Sequence, residues 1–338
     1  MSDWILTVNA GSSSLKLAAF VAEGEELLRV AEANVRSAHS SQASLEQGLA
    51  QLGRSGDPAR VGHRIVHGGS RFHEPTLLDD AVLDEIRELV PLAPLHLPAA
   101  LDLVAQARSR WPEIPHVGSF DTAFFADLPD VAVRLPLPAR FPEVRRYGFH
   151  GLSYESVRAA LGTELPARAV FAHLGSGASL AALSHGKPVD TTMAFTPLGG
   201  IVMGTRPGDL DPGAILYLLQ ERGLSAAELA DLLAHDSGLR ALAGESDTRV
   251  LLERRSHDPQ ADLALRVFVR SVQKAVGGFA AVLGGLDLLV FTGGIGEHQA
   301  PLRDEICAGL AHLHCAVKVV PAQEDLVLAR QARAYRAS

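Results

Sequence analysis

The sequence predicts an α/β protein made of two similar halves. Three observations carry this. Two Gly/Ser turns, each set between apolar strands, resemble each other: Val8-Asn9-Ala10-Gly11-Ser12-Ser13-Ser14-Leu15-Lys16 and Ala172-His173-Leu174-Gly175-Ser176-Gly177-Ala178-Ser179-Leu180. Strand-like and helical segments alternate along the whole chain, as in proteins where helices cover a sheet. At 338 residues and 47% hydrophobic, the chain is long enough for two ordinary domains, each with its own core.

The elements follow in order. Trp4 to Phe20 reads as strand, turn, strand, and the small polar stretch Ser37 to Asp57 as helix and loop. A strand at Val61 to Val66 is closed by Gly68-Gly69. Helical periodicity marks Ala81 to Leu89 and Pro98 to Arg110, joined by a stiff connection with Pro91, Pro94 and Pro98. A short strand, His116 to Phe120, ends at Asp121. The proline-rich stretch Asp121 to Arg145 is read as the domain boundary. Ala169 to Leu183 repeats the strand–turn–strand pattern. Asp211-Pro212 starts a helix with an N-cap aspartate and a first-turn proline, and Ser225 with Glu228 forms a capping box. Ala261 to Leu283 is a long, largely buried helix. Asp287 to Thr292 is an apolar strand, followed by a third glycine turn, Gly293-Gly294-Ile295-Gly296-Glu297, and a helix at Pro301 to Leu310.

Composition excludes several classes. The net charge is −8, so no broad electrostatic attraction to nucleic acid or an anionic membrane is expected. The only cysteines, Cys307 and Cys315, show neither metal spacing nor a disulfide framework, which fits a reducing compartment. No signal peptide is read at the start, and the apolar stretch Phe279 to Phe291 is too interrupted to cross a membrane.

The chemistry-bearing residues sit at strand ends and turns. A turn rich in Gly and Ser offers backbone N–H groups and hydroxyls to a small anion, and Ser14 and Lys16 of the first turn suit phosphate oxygens. This is not a Walker A loop, because a strand follows and no Gly-Lys-Ser/Thr is present. Arg64 and Arg206 each stand in a glycine-flanked segment, where a guanidinium can read a carboxylate or phosphate. Asp121 ends a strand and His150 follows Phe149. Singly, each has a plainer reading: hairpin turns, surface ion pairs, an N-cap and a structural histidine.

Together these segments resemble the acetate kinase family, within the larger group of actin, Hsp70 and sugar-kinase folds. The resemblance rests on Asn9 to Lys16, Gly62 to Gly69, Phe120 to Phe125, Arg146 to Ser153, His173 to Gly177, Phe195 to Asp211, Asp247 to Arg249 and Phe291 to His298, in order along nearly the whole chain. It implies two related domains, 1–125 plus 326–338 and 126–325, with mixed sheets flanked by helices and a cleft between them. It implies that Asn9 and Glu324 help bind Mg²⁺ and that Ser14 and Lys16 lie near the ATP phosphates. Arg64 meets the carboxylate substrate, Asp121 is the acidic active-site residue, and His150 and Arg206 stabilise the transition state. His173, Leu174, Gly175, Ser176, Gly177, Asp247, Thr248, Arg249 and Gly293 to Glu297 surround the nucleotide, and Val66, Leu95, Phe149 and Pro197 line the acyl pocket. A cytoplasmic homodimer is likewise implied.

The implied reaction is attack of a short-chain carboxylate on the γ-phosphorus of ATP. The loose transition state spreads charge over three oxygens, which two arginines, a histidine and Mg²⁺ would stabilise. The acceptor is already ionised at neutral pH, so Asp121 is read as orienting a metal, a water or an arginine rather than as a base. Ser176, Leu97, Thr248 and Gly199 depart from residues common in the family, and the chain is shorter than usual members. Butyrate as acceptor, a regulatory homologue without transfer activity, and sugar phosphorylation are the competing readings. Val66 and Phe149 favour a small acyl group, and retention of Arg64, Asp121, His150 and Arg206 favours catalysis.

Overall fold

The computed structural model describes residues 4–11, 14–36, 41–94 and 96–335. Ser12 and Ser13 of the first turn, and Leu95, lie outside the described residues.

The chain divides into two compact units. The first comprises residues 1–126, 149–156 and 323–338; the second comprises 127–148 and 157–322. Segments 149–156 and 323–325, which the sequence division assigned to the C-terminal domain, therefore belong to the first unit. The local reason is packing: Leu152 forms a buried cluster with Val327 and Leu328.

The first unit holds a six-stranded sheet: β1 (Trp4–Ala10), β2 (Ser14–Glu23), β3 (Glu26–Arg36), β4 (Arg60–Ile65), β5 (Thr76–Leu77) and β6 (His116–Phe120), in the order β3-β2-β1-β4-β6-β5. β1 to β3 form an antiparallel meander, and β1, β4 and β6 run parallel. Every residue of β1 from Trp4 to Asn9 is buried, as expected for a central strand covered on both faces. The helices Ser41–Leu52 and Leu97–Arg110 supply one side of its core, where Leu6 and Val8 meet Leu45, Leu103 and Ala107. The helix Glu324–Ala334 supplies the other, where Ile5, Ala18 and Val117 meet Ala329 and Ala332. Gly62 lets this helix approach closely, because a Cβ would lie 3.0 Å from the Leu328 carbonyl oxygen.

The second unit holds five strands: β7 (Arg168–Leu174), β8 (Ala178–Ser184), β9 (Lys187–Thr191), β10 (Leu288–Thr292) and β11 (Ala316–Val319), in the order β11-β10-β7-β8-β9. Again a meander, β7 to β9, is followed by strands parallel to its first member. The two Gly/Ser turns thus occupy the same topological place, between the first and second strands of each meander. The helix Pro259–Leu283 buries Ala261, Ala264, Leu265, Phe268, Val272 and Val276 at helical spacing, and ends at Gly284 with φ 69°. Asp211 and Ser225 cap their helices as the sequence predicts, the latter in a full capping box.

Two expectations change. Gly293 to Glu297 is not a free turn but most of a short helix, Gly293–His298, that starts directly after β10. Thr292 ends the strand, and Gly293, at φ 77°, makes the bend that lets helical backbone follow without a loop. The pairing strands β3, β9 and β11 were not anticipated. Each is an edge strand; β3 and β11 expose most of their positions, and β9 is short and mixed in polarity, so no apolar run announces them.

Candidate active site

In the first unit the side chains singled out in the sequence gather at the ends of β1, β4 and β6. Arg64 is the centre. Its Nε and Nη2 donate to Asp121 Oδ2 at 3.0 and 2.6 Å, and its Nη1 donates to Asn9 Oδ1 at 3.2 Å and lies 3.8 Å from Glu324 Oε2. Asn9 Nδ2 donates to Glu324 Oε2 at 2.9 Å and to Asp325 Oδ1 at 3.2 Å. Asp325 is a member of this cluster that sequence reasoning missed. Its signal was only adjacency to Glu324 at the start of a helix, where an acidic residue normally serves the helix itself.

Burial opposes the charge of Arg64, yet Asp121, Glu324 and Asp325 hold its pKa above the ordinary arginine value. Burial pushes the Asp121 carboxyl up, with Glu324 adding to the effect and Arg64 pulling it back. Burial and Glu324 push Asp325 up as well. Three carboxylates around one guanidinium leave surplus negative charge, and Asp121 Oδ1 is buried with no hydrogen-bond partner. Hard oxygen donors with excess charge fit a magnesium ion. Among the described residues no group of three or more His, Cys, Asp or Glu is placed to hold a metal by itself. Magnesium bound through one or two carboxylates plus substrate phosphates needs no such cage.

Around the cluster the backbone is tightly constrained. Gly151 N–H donates to the Asp121 carbonyl at 2.9 Å, and a Cβ at Gly151 would fall 2.1 Å from that oxygen. His150, just before it, adopts φ 63°, a left-handed conformation uncommon for a residue with a side chain and concentrated at functional sites. Val66 is buried two residues beyond Arg64, and Phe149 meets the His67 ring edge-on at 5.5 Å. Lys16 stands on β2 in register with Asn9, exposed, and its charge favours the ionised form of Asp325. Ser14 accepts the Gly11 N–H at 2.8 Å through its carbonyl and so closes the first turn.

In the second unit the predicted nucleotide residues converge. Gly175 N–H donates to the Gly177 carbonyl, closing the second turn at 3.1 Å. A Cβ on Gly293 would lie 2.8 Å from the Leu174 carbonyl and 3.2 Å from His173 Cε1, so the short helix starts against the turn. Gly204 faces Ser176 and Ser246 at once, with a Cβ 3.6 and 3.4 Å from them. The second turn, the arginine loop and the segment Asp247 to Arg249 are therefore neighbours. Asp247 caps the helix Thr248–Arg254 and takes Arg249 Nη2 at 2.5 Å, which lowers its pKa. Thr248 is buried. Glu297 accepts the N–H groups of Gly293 and Ala322 at 2.9 and 3.0 Å, so its carboxylate organises the backbone. Gly294 and Ile295 lie in the same short helix.

Arg206 is buried and donates to the Pro197 carbonyl at 3.0 Å, uniting two residues predicted separately. Its loop is clamped on the helix Gly238–Ala243: Ser237, Leu239 and Arg240 N–H groups donate to the carbonyls of Thr205, Met203 and Gly204. Gly238, at φ 63°, is required, because a Cβ would fall 2.2 Å from the Met203 carbonyl. No local sequence signal announces this clamp.

Comparison with known proteins places this arrangement. The family model described as the acetokinase family matches residues 32–327. An acetate kinase from Streptomyces coelicolor is 39% identical, covering 93% of this chain and 86% of its own length. One from Nitrobacter hamburgensis is 42% identical, covering 92% and 85%. Among solved structures, a propionate kinase from Francisella tularensis superposes with a TM-score of 0.88 at 30% identity, covering 98% of this chain and 99% of that one. An acetate kinase from Porphyromonas gingivalis gives 0.85 at 31% identity, with the same coverage.

Proposed function

The chain belongs to the acetokinase family, and on that premise we propose that it phosphorylates a short-chain carboxylate with ATP, acetate before longer acids, to give an acyl phosphate. The observation that carries the reading to a carboxylate is Arg64: a cation fixed by Asp121 and Asn9, with buried Val66 two residues on. A small acid needs that combination of a cation and an apolar wall. Arg64 binds the carboxylate, and Asp121 holds the guanidinium in place. Since the acceptor is already ionised, no proton need be removed, and positioning plus charge stabilisation supply the catalysis. Arg206 and His150 stabilise charge on the transferring phosphoryl group. His173 to Gly177, Asp247 to Arg249 and Gly293 to Glu297 bind the nucleotide, and Lys16 with Ser14 meets its phosphates. Glu324 and Asn9, with Asp325 beside them, would hold Mg²⁺, which supplies neutralisation of phosphate charge when bound.

The test is hydroxamate trapping of acyl phosphate with acetate, propionate, butyrate and a sugar panel. Product with acetate and propionate, falling off at butyrate, is expected. No product from any carboxylate would sink the reading, and a sugar phosphate instead would transfer it to another class.

We assign the working form as a cytoplasmic homodimer. Among the described residues no helix is long and apolar enough to cross a membrane. The helix Pro212–Gln220 (sequence PGAILYLLQ) buries none of its residues in the chain, and Leu216 and Tyr217 are 52% and 53% exposed. A two-turn apolar helix left uncovered fits a self-complementary interface with a second copy. Replacing both residues by glutamate is expected to convert the dimer to monomer in analytical ultracentrifugation. A wild-type protein that sediments as a monomer would contradict the assignment.

A further inference from the structure

The first unit contains a cavity lined by none of the residues assigned to the reaction. It has a volume of about 420 Å³, and both tryptophans of the chain line it. Trp4 begins β1, whereas Asn9 lies near its other end, so roughly 17 Å of strand separates the cavity from the catalytic cluster.

The lining has a specific chemistry. Trp111 is satisfied: its Nε1 donates to Asp57 Oδ1 at 2.9 Å, and the Arg110 guanidinium lies 5.2 Å from its ring centre. Arg110 is neutralised by Glu46 at 3.2 Å. The other half is not. Trp4 is 3% exposed, and its Nε1–H is buried with no acceptor. Arg54 lies 5.8 Å from the Trp4 ring centre and has no carboxylate partner among the described residues. A buried N–H donor and an unneutralised guanidinium thus stand at one wall, while Leu49 and Leu52 provide an apolar one. Buried donors in folded proteins are ordinarily paired, so an orphan beside a cavity indicates where an acceptor belongs.

We propose that this cavity is a binding site for a small aromatic carboxylate. The carboxylate would accept from Trp4 Nε1 and from Arg54, and its ring would lie among the indoles and leucines. Arg54 supplies the cation for a single carboxylate, and because Glu46 and Asp57 also face the cavity a phosphate dianion would meet more repulsion than a monoanion. The volume lies within the usual range for small-molecule sites.

Because the cavity holds every tryptophan of the chain, intrinsic fluorescence reads its occupancy directly. The residues assigned to ATP and acetate include no tryptophan. Benzoate, nicotinate and indole-3-acetate are titrated into the full-length protein, with benzamide and phenyl phosphate as neutral and dianionic counterparts. Saturable change with at least one carboxylate is expected, undiminished by saturating acetate. Arg54→Ala should weaken that affinity about tenfold or more, the loss of one charge-assisted hydrogen bond, while leaving acyl phosphate formation at the wild-type rate. Arg54→Lys should restore part of the affinity. Trp4→Phe, read by calorimetry, should weaken it with the ring retained. The proposal falls if no carboxylate in the panel saturates, if benzamide or phenyl phosphate binds as tightly, or if Arg54→Ala binds unchanged.

Discussion

Arg206→Ala is expected to lower kcat for acyl phosphate formation by about 10²–10³-fold, with a much smaller change in the KM for acetate. Removing one preorganised donor to charge that develops only in the transition state has that signature. The geometry makes the experiment clean. Arg206 donates to the Pro197 carbonyl, and its loop is held independently by three backbone hydrogen bonds from residues 237, 239 and 240. Truncating the side chain leaves those bonds in place, so the backbone carrying it should not collapse. Added guanidinium should recover part of the rate, since the vacated space is shaped for that cation. A variant with unchanged kcat and a raised KM would assign Arg206 to ground-state binding instead.

Arg64→Ala would be a poorer test of the same chemistry. It strips the counter-ion from buried Asp121 and leaves Glu324 and Asp325 facing each other with only Asn9 between. Breaking a buried pair by removing one partner costs roughly 3–5 kcal/mol. Lost activity would then mix chemistry with folding.

How much was legible follows from what each residue does locally. The paired turns and the strands around them announced themselves, because glycine-rich turns between apolar runs are local signals. Asp211 and Ser225 were legible for the same reason: a cap is a short-range hydrogen bond. What stayed hidden was long-range. The Gly238 clamp on the Arg206 loop joins segments about thirty residues apart, and only the close approach of Met203 shows why glycine is needed. Asp325 enters the cluster through Asn9, more than three hundred residues earlier. The helix at Gly293 was read as a turn because three glycines in five residues argue against a helix on propensity. Contact with the second turn overrides that preference. Leu95, placed in the acyl pocket by resemblance, falls outside the described residues.

The largest environmental effect is expected with acid. The segment that carries Arg64 also carries His63 and His67, and neither was anything but a polar residue in the sequence. His116 Nε2 lies 3.1 Å from the Trp111 carbonyl, so it bears the proton there. Its Nδ1 must then accept from His63 Nε2, 2.9 Å away. Both rings are buried and stacked, with centres 5.2 Å apart. Burial drives the His63 pKa well below the ordinary value, with His116 adding to it, and burial lowers His116 too. Burial takes His67 to about 4, and its Nδ1 accepts the Gly69 N–H at 2.8 Å. A base with a depressed native pKa is neutral in the fold and charged in the unfolded chain. Stability is therefore full above the unfolded value of about 6.5 and is lost as pH falls from there toward the native value. Each histidine contributes up to about 1.4 kcal/mol per pH unit while the pH lies between its unfolded and native values, so acid weakens the first unit. Asp121 and Asp325 act oppositely: their raised native pKa values add stability as pH falls from those values toward the ordinary aspartate value of about 4, which offsets part of the histidine loss. Urea unfolding at pH 7.5 and pH 5.5 should show the loss, and kinase activity should fall with it, because Arg64 rides on the same strand. Replacing His63 and His116 by glutamine, which keeps a neutral polar pair, should flatten the slope. Equal stability of the wild-type protein at both pH values would refute the account before any variant is made.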